Sequence, residues 1–205
     1  METIIWVRWD SISMWARDLE KWGRVNRLHS YLGNLFLKNN DNYGVVYNLG
    51  IDWDTSSWLL KRFETECEAR QPNVIIFAIG SNDCTIINNK ENFVSLEIFQ
   101  KNISSLYQIA KKITDKIIFV WPIICDETKT IPIPWAPEIS QDMQNTIIYK
   151  DATRSFCEQK NILFIDMIDT LDVNDLEDGI HPNFKWHEKM FIRIRNYLIE
   201  KSIIK

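Results

Sequence analysis

Short apolar runs with strand-like composition alternate with segments of helical periodicity along the whole chain. This alternation constrains the fold most, because repeated β-α units build a parallel sheet that helices cover on both faces. The predicted strands lie at 3–8, 43–49, 74–79, 116–121 and 162–166. The predicted helices lie at 24–37, 55–70, 96–110, 139–160 and 184–199. The pattern therefore predicts an α/β fold with a five-stranded parallel sheet.

A chain of 205 residues is long enough for one hydrophobic core and short for two. No linker, internal repeat or low-complexity tract divides it, so residues 1–205 are predicted to form a single domain. With right-handed crossovers, such a domain has three layers, α/β/α, in a flavodoxin-like arrangement.

Composition excludes several classes of protein. The 24 Lys and Arg against 28 Asp and Glu give a net charge of −4, so no basic excess points to nucleic acid as a partner. The longest apolar run, 74–79, is too short to span a membrane. Arg8 and Asp10 interrupt any signal-peptide core, so a cytoplasmic location is expected. The four scattered cysteines fit neither a disulfide framework nor a zinc site, so we expect buried or free thiols and no bound metal.

One of the three histidines stands apart from the other two. His29 and His187 lie in predicted helices and are expected to be solvated, whereas His181 lies in a turn before Pro182. Asp178, three residues earlier, can hold one tautomer of the His181 ring and stabilise its cation. The same carboxylate can instead cap the turn, and the spacing alone leaves both interpretations open.

Other polar residues follow the predicted strands at the edge where parallel sheets bind ligands. Ser11 follows the first strand as a candidate nucleophile or helix cap. Asn82 follows the third strand and can donate to an oxyanion or shape an Asx turn. Acyl transfer needs a nucleophile, a base, an orienting group and oxyanion donors in one place. Four segments at this edge together supply these groups: 10–13, 48–55, 80–83 and 178–182.

The order of these segments resembles the SGNH hydrolases, also called the GDSL esterase/lipase family. Trp9-Asp10-Ser11 stands where that family has Gly-Asp-Ser, and segment 48–55 resembles the second block, with Trp53 at its glycine. Gly80-Ser81-Asn82-Asp83 matches Gly-x-Asn-Asp, and the Asp178–Pro182 segment matches Asp-x-x-His-Pro.

This resemblance implies a serine esterase with no cofactor and a small-molecule ester as its partner. Ser11 is the implied nucleophile, His181 the implied base, and Asp178 the carboxylate that orients His181. The implied oxyanion hole consists of the N–H groups of Ser11 and Trp53 and the side-chain amide of Asn82. A sugar deacetylase, a thioesterase and a small-ester hydrolase all fit, and oligomeric state stays open.

Tryptophan is unusually common and glycine unusually scarce, with 9 Trp and 6 Gly. Trp9, Trp53 and Trp186 stand at positions where the family has glycine, and Trp15 and Trp22 lie in loops where glycine is expected. One interpretation is that the source organism reads UGA as glycine and that these residues record such codons. The alternative is a divergent protein with bulky residues at its pocket.

Two other functions compete with the esterase prediction. One is a non-catalytic relative that binds a carbohydrate or lipid and in which Trp9 and Trp53 fill the pocket. A flavodoxin-like cofactor or signalling domain is disfavoured, because no Gly-rich phosphate loop follows the first strand. The irregular segment 122–137, with four prolines, is interpreted either as a wall of the substrate pocket or as a surface excursion.

Overall fold

The computed structural model describes residues 3–8, 12, 18, 20–39 and 44–205. Ser11, Trp9 and Trp15 lie outside these described residues. The strands are β1 (Thr3–Arg8), β2 (Gly44–Asn48), β3 (Val74–Phe77), β4 (Ile86–Ile87), β5 (Glu91–Asn92), β6 (Ile117–Trp121), β7 (Ile139–Ser140) and β8 (Leu163–Asp166). The helices are α1 (Gly23–Asn39), α2 (Ser56–Arg70), α3 (Leu96–Lys111), α4 (Glu127–Thr130), α5 (Met143–Lys160) and α6 (Phe184–Glu200).

Five of the strands form one sheet in the order β2-β1-β3-β6-β8, and every neighbouring pair is parallel. All residues of β3 and β6 are buried, as expected for central strands that helices cover on both faces. Helix α1 packs against α6, while α3 contacts both α2 and α5, and these two groups form the helical layers. The predicted three-layer α/β fold is confirmed.

A second, three-stranded sheet has the order β5-β4-β7 and is antiparallel. It was not predicted, because two-residue strands are too short to show an alternating pattern. Strand β7 occupies the start of the helix predicted at 139–160, so that boundary is wrong. Helix α5 begins at Met143 instead, because the Asp142 side chain accepts a hydrogen bond from the Asn145 N–H at 2.6 Å and caps the helix.

Burial tests two expectations about individual side chains. None of the four cysteines forms a disulfide, and all four are buried, as expected. His29 is exposed and accepts a hydrogen bond from the Val46 N–H, but His187 is completely buried. The expectation of a solvated His187 is wrong, because this residue lies on the apolar face of α6. No helix in the described ranges combines the length and apolarity that a membrane crossing requires.

Candidate active site

Four of the predicted site residues line one cavity of about 310 Å³. Trp53 follows β2, Asn82 follows β3, and Asp178 and His181 lie in the turn before α6. These segments meet at the carboxyl edge of the sheet, where open α/β folds bind their ligands. The structure thus brings together residues that are up to 128 positions apart, from Trp53 to His181.

The Asp178 side chain holds His181 through a short contact. His181 Nδ1 lies 2.8 Å from Asp178 Oδ2, while Asp178 Oδ1 accepts the backbone N–H groups of His181 at 2.8 Å and Ile180 at 3.1 Å. Burial alone would raise the pKa of Asp178, but these hydrogen bonds and the His181 ring hold it well below its usual range. The carboxylate therefore stays ionised and can stabilise an imidazolium at His181.

Gly179 allows the turn between Asp178 and His181 to pack tightly. Its φ is +90°, and an added Cβ would lie 2.8 Å from Lys129 Cβ and 2.8 Å from Thr130 Cγ2. The Gly179 carbonyl accepts the Asp126 N–H at 2.9 Å. Helix α4, in the middle of the proline-rich segment, therefore supports the turn that carries the His–Asp pair.

The Asn82 side chain does not cap its own turn. Its Nδ2 donates to the backbone carbonyl of Asp54 at 2.9 Å, across a sequence separation of 28 residues. An amide nitrogen carries two hydrogens, so this bond orients the amide and leaves a second hydrogen for a ligand in the cavity. Gly80 has a φ of +122°, and an added Cβ would lie 2.7 Å from the Trp121 ring, so glycine allows the tight turn that presents Asn82.

Trp53 has a left-handed backbone with a φ of +61°, a conformation that favours glycine. Its ring contacts Trp135 edge-to-face, with the ring centroids 5.8 Å apart. Both rings are partly exposed at the cavity. Trp135 and Ile133 bring the segment 122–137 into the cavity wall, as expected if this segment forms a wall of the substrate pocket.

Sequence patterns did not identify several other residues of the site. Asp52, Thr85 and Gln141 also line the cavity. Gln141 is buried and donates from Nε2 to the Ser81 carbonyl at 3.4 Å, but no motif marks it. Asp83 belongs to a matched motif, yet only the structure reveals its partner, Ser56.

A larger cavity of about 790 Å³ lies at the opposite, amino edge of the sheet, where Thr3, Asn73 and Lys116 line it. None of the described residues that line it is a histidine or cysteine. Within the described part of the chain, no cluster of three or more His, Cys, Asp or Glu side chains could hold a metal ion. The contact between His181 and Asp178 lies at the smaller cavity.

The protein family that this chain matches is one of lipases and acylhydrolases. A profile of the GDSL-like lipase/acylhydrolase family matches residues 10–189. A search of curated proteins returned no significant match.

Solved structures share the fold at low sequence identity. A lipase/acylhydrolase from Enterococcus faecalis is 19% identical with a TM-score of 0.75, over 97% of this chain and 96% of that one. A catalytic mutant of an acetylxylan esterase from Geobacillus stearothermophilus is 21% identical with a TM-score of 0.72, over 95% of this chain and 93% of that one. A GDSL-like lipase from Bacteroides thetaiotaomicron is 19% identical with a TM-score of 0.69, over 98% and 89%.

Proposed function

Because the chain belongs to the GDSL-like lipase/acylhydrolase family and is thus an ester-hydrolysing enzyme, we propose that Ser11, His181 and Asp178 form its catalytic triad. The observation that carries the proposal is the 2.8 Å contact between His181 Nδ1 and Asp178 Oδ2 at the cavity. It leaves Nε2 of the same ring as the base.

The strand register supports Ser11 as the nucleophile. Arg8, the last residue of β1, pairs with Phe77, the last residue of β3. Ser11 therefore follows the end of its strand by three residues, and Gly80 follows the end of the neighbouring strand by the same number. Asn82, just beyond Gly80, lines the cavity, so β1 ends beside the strand that leads to this cavity.

In the proposed reaction, His181 takes the proton of the Ser11 hydroxyl as its oxygen attacks the ester carbonyl carbon. The negative charge moves to the carbonyl oxygen, where the N–H groups of Ser11 and Trp53 and the amide of Asn82 stabilise it. His181 then protonates the departing alcohol, which leaves an acyl group on Ser11. Water, deprotonated by His181, attacks this acyl group and releases the acid, while His181 returns the proton to Ser11.

The size and walls of the cavity narrow the substrate class. About 310 Å³ is at the small end of the range for ligand pockets, which favours a short acyl group. Trp53 and Trp135 present partly exposed indoles at the same cavity, and aromatic faces suit sugar rings. Acetylated sugars are therefore the first substrates to test, a class to which the substrate of the similar acetylxylan esterase belongs.

The test measures turnover of p-nitrophenyl acetate and of acetylated xylo-oligosaccharides by the wild type and by Ser11→Ala. We expect wild-type turnover of both esters and a loss of roughly 10⁴-fold or more in kcat for Ser11→Ala, because the attacking oxygen is gone. Ser105→Ala is the matched control, since Ser105 is an exposed serine on α3 whose hydroxyl donates only to the Lys101 carbonyl among the described contacts.

Covalent labelling provides a second measurement. A fluorophosphonate reagent should add to Ser11 of the wild type and not to Ser11→Ala, which peptide mass spectrometry detects. Full turnover by Ser11→Ala would refute the triad. A wild type that binds acetylated sugars without hydrolysing either ester would favour the non-catalytic carbohydrate-binding alternative.

A further inference from the structure

A buried carboxylate next to the proposed oxyanion hole has no part in the triad. Asp83 is completely buried and receives three hydrogen bonds from Ser56, the first residue of α2. The Ser56 N–H lies 3.0 Å and 3.1 Å from the two Asp83 oxygens, and the Ser56 hydroxyl donates to Oδ1. Asn102 of α3 donates to the Ser56 hydroxyl at 2.9 Å, so three segments are joined.

These contacts join the two segments that supply proposed oxyanion donors. Asn82, directly before Asp83, donates its amide to the Asp54 carbonyl, and Trp53 directly precedes Asp54 in the chain. Asn82 and Asp83 are neighbours in one turn. Asn82 thus binds Asp54 and Asp83 binds Ser56, both in the segment that also contains Trp53. The position of the Trp53 N–H relative to the Asn82 amide depends on this double attachment.

An ionised carboxylate at the buried position of Asp83 costs free energy. Burial raises the pKa of Asp83 to about 7, although the Ser56 hydroxyl and N–H oppose the rise. The Asp54 carboxylate nearby adds repulsion, even though Arg62 pairs with it. A buried carboxylate without a cation among these contacts is a poor way to gain stability, which points to a role in the site.

We infer that Asp83 is a positioning residue of the oxyanion hole: it binds the first turn of α2 and thereby fixes the distance between the Trp53 N–H and the Asn82 amide. This inference rests on the proposed function, because it assigns those two groups to the oxyanion. Asp83 itself touches no reacting atom in this arrangement and acts through Ser56 and Asn82.

The experiment compares Asp83→Ala and Asp83→Asn with the wild type on p-nitrophenyl acetate, well below the melting temperature of each. Asp83→Ala should lower kcat between tenfold and about 10²-fold with KM within about twofold, because a displaced donor weakens transition-state stabilisation. Asp83→Asn should restore most of kcat, since its amide oxygen can accept both donors that Oδ1 receives.

Hydrogen exchange gives a readout that does not require activity. Residues 51–58 should exchange faster in Asp83→Ala than in the wild type, because the Ser56 N–H loses its acceptor. Asn73→Ala is the matched control: the Asn73 side-chain oxygen accepts the Ile4 N–H at 2.8 Å, at the opposite edge of the sheet. It should lower the melting temperature while leaving kcat and the exchange of 51–58 unchanged.

The outcomes separate this inference from the proposed triad. Wild-type kcat in Asp83→Ala, or an equal loss in Asn73→Ala, would overturn the positioning role while an inactive Ser11→Ala still supports the triad. Full turnover by Ser11→Ala would overturn the triad and, with it, the oxyanion role given to Asp83, whatever the exchange data show.

Discussion

At the scale of single residues, Asn82 is the sharpest test of the oxyanion hole. Asn82→Ala should lower kcat by about 10²–10³-fold and change KM little, because its amide stabilises charge that exists only in the transition state. The variant also loses the bond to the Asp54 carbonyl, which should cost about 1 kcal/mol of stability. Steady-state kinetics and thermal melting measure the two effects separately.

Asn92→Ala is the matched control for this variant. Asn92 also donates its side-chain amide to a backbone carbonyl, that of Cys84 at 3.1 Å, but it does not line the cavity. It should show a similar loss of stability with unchanged kcat. If Asn82→Ala raises KM and leaves kcat intact, the Asn82 amide binds the ground state instead.

Residues were predictable where their signal is local in the sequence. Asp178 and His181 lie three positions apart, so the spacing made their contact one of two interpretations, and the turn cap was the other. The hydrogen bonds between Asp83 and Ser56 span 27 positions, and neither residue type indicates the other as its partner. His187 was misjudged because its burial depends on how α6 packs, which the residue type does not reveal.

At the scale of elements, the turn between Asp178 and His181 depends on its glycine. Gly179→Ala should lower kcat strongly, because the new Cβ would meet Lys129 and Thr130 at 2.8 Å and displace the His–Asp pair. Left-handed strain and overpacking together should cost about 1–3 kcal/mol or more of stability. Kinetics and melting of the purified variant measure both losses.

Gly33→Ala provides the opposite control within α1. No atom lies within 4 Å of an added Cβ there, so alanine should stabilise the helix by up to about 1 kcal/mol without changing kcat.

Adding Thr130→Ser to Gly179→Ala removes the Cγ2 that the new methyl would meet, and should recover part of the activity. An unaffected Gly179→Ala enzyme would show that α4 does not hold the turn in place.

The main-sheet strands and their helices were predictable from periodicity, since each is long enough to show its pattern. Helix α2 begins at Ser56 after Thr55, whose side chain accepts the Trp58 N–H and caps the helix. The second sheet could not be predicted, because its pairing joins β4 to β7 across more than fifty residues. That sheet also explains the late start of α5.

At the scale of the whole molecule, the described tryptophans at expected glycine positions divide into two groups. Trp22 and Trp53 have φ values of +57° and +61° and are 47% and 37% exposed, so their backbones suit glycine and their side chains are only partly buried. Trp186 is completely buried beside Ile124 and Leu176, although its indole N–H has no acceptor among the described residues. Trp9 and Trp15 lie outside the described residues, so the interpretation that these two positions record glycine codons stays a prediction.

Glycine should therefore act in opposite directions at the two groups. The double variant Trp22→Gly/Trp53→Gly should melt several degrees higher, because a left-handed non-glycine residue costs about 1–2 kcal/mol. Trp186→Gly should lose about 3–5 kcal/mol to the cavity and about 1 kcal/mol more to glycine within a helix. Such a loss is large against a typical margin of about 5–15 kcal/mol. The glycine-codon interpretation predicts that glycine at Trp9, Trp15, Trp22, Trp53 and Trp186 stabilises the chain. The burial of Trp186 leads us to expect the opposite at that position.

Differential scanning calorimetry and p-nitrophenyl acetate turnover of the parent, the double variant and Trp186→Gly decide between the two origins of the tryptophans. A double variant that is more stable and at least as active supports the interpretation that Trp22 and Trp53 record glycine codons. A double variant that melts lower and turns over less ester would instead mean that the contact between Trp53 and Trp135 outweighs the backbone strain. Those two rings would then be an evolved part of the pocket, and Trp135→Ala alone should weaken the binding of acetylated sugars.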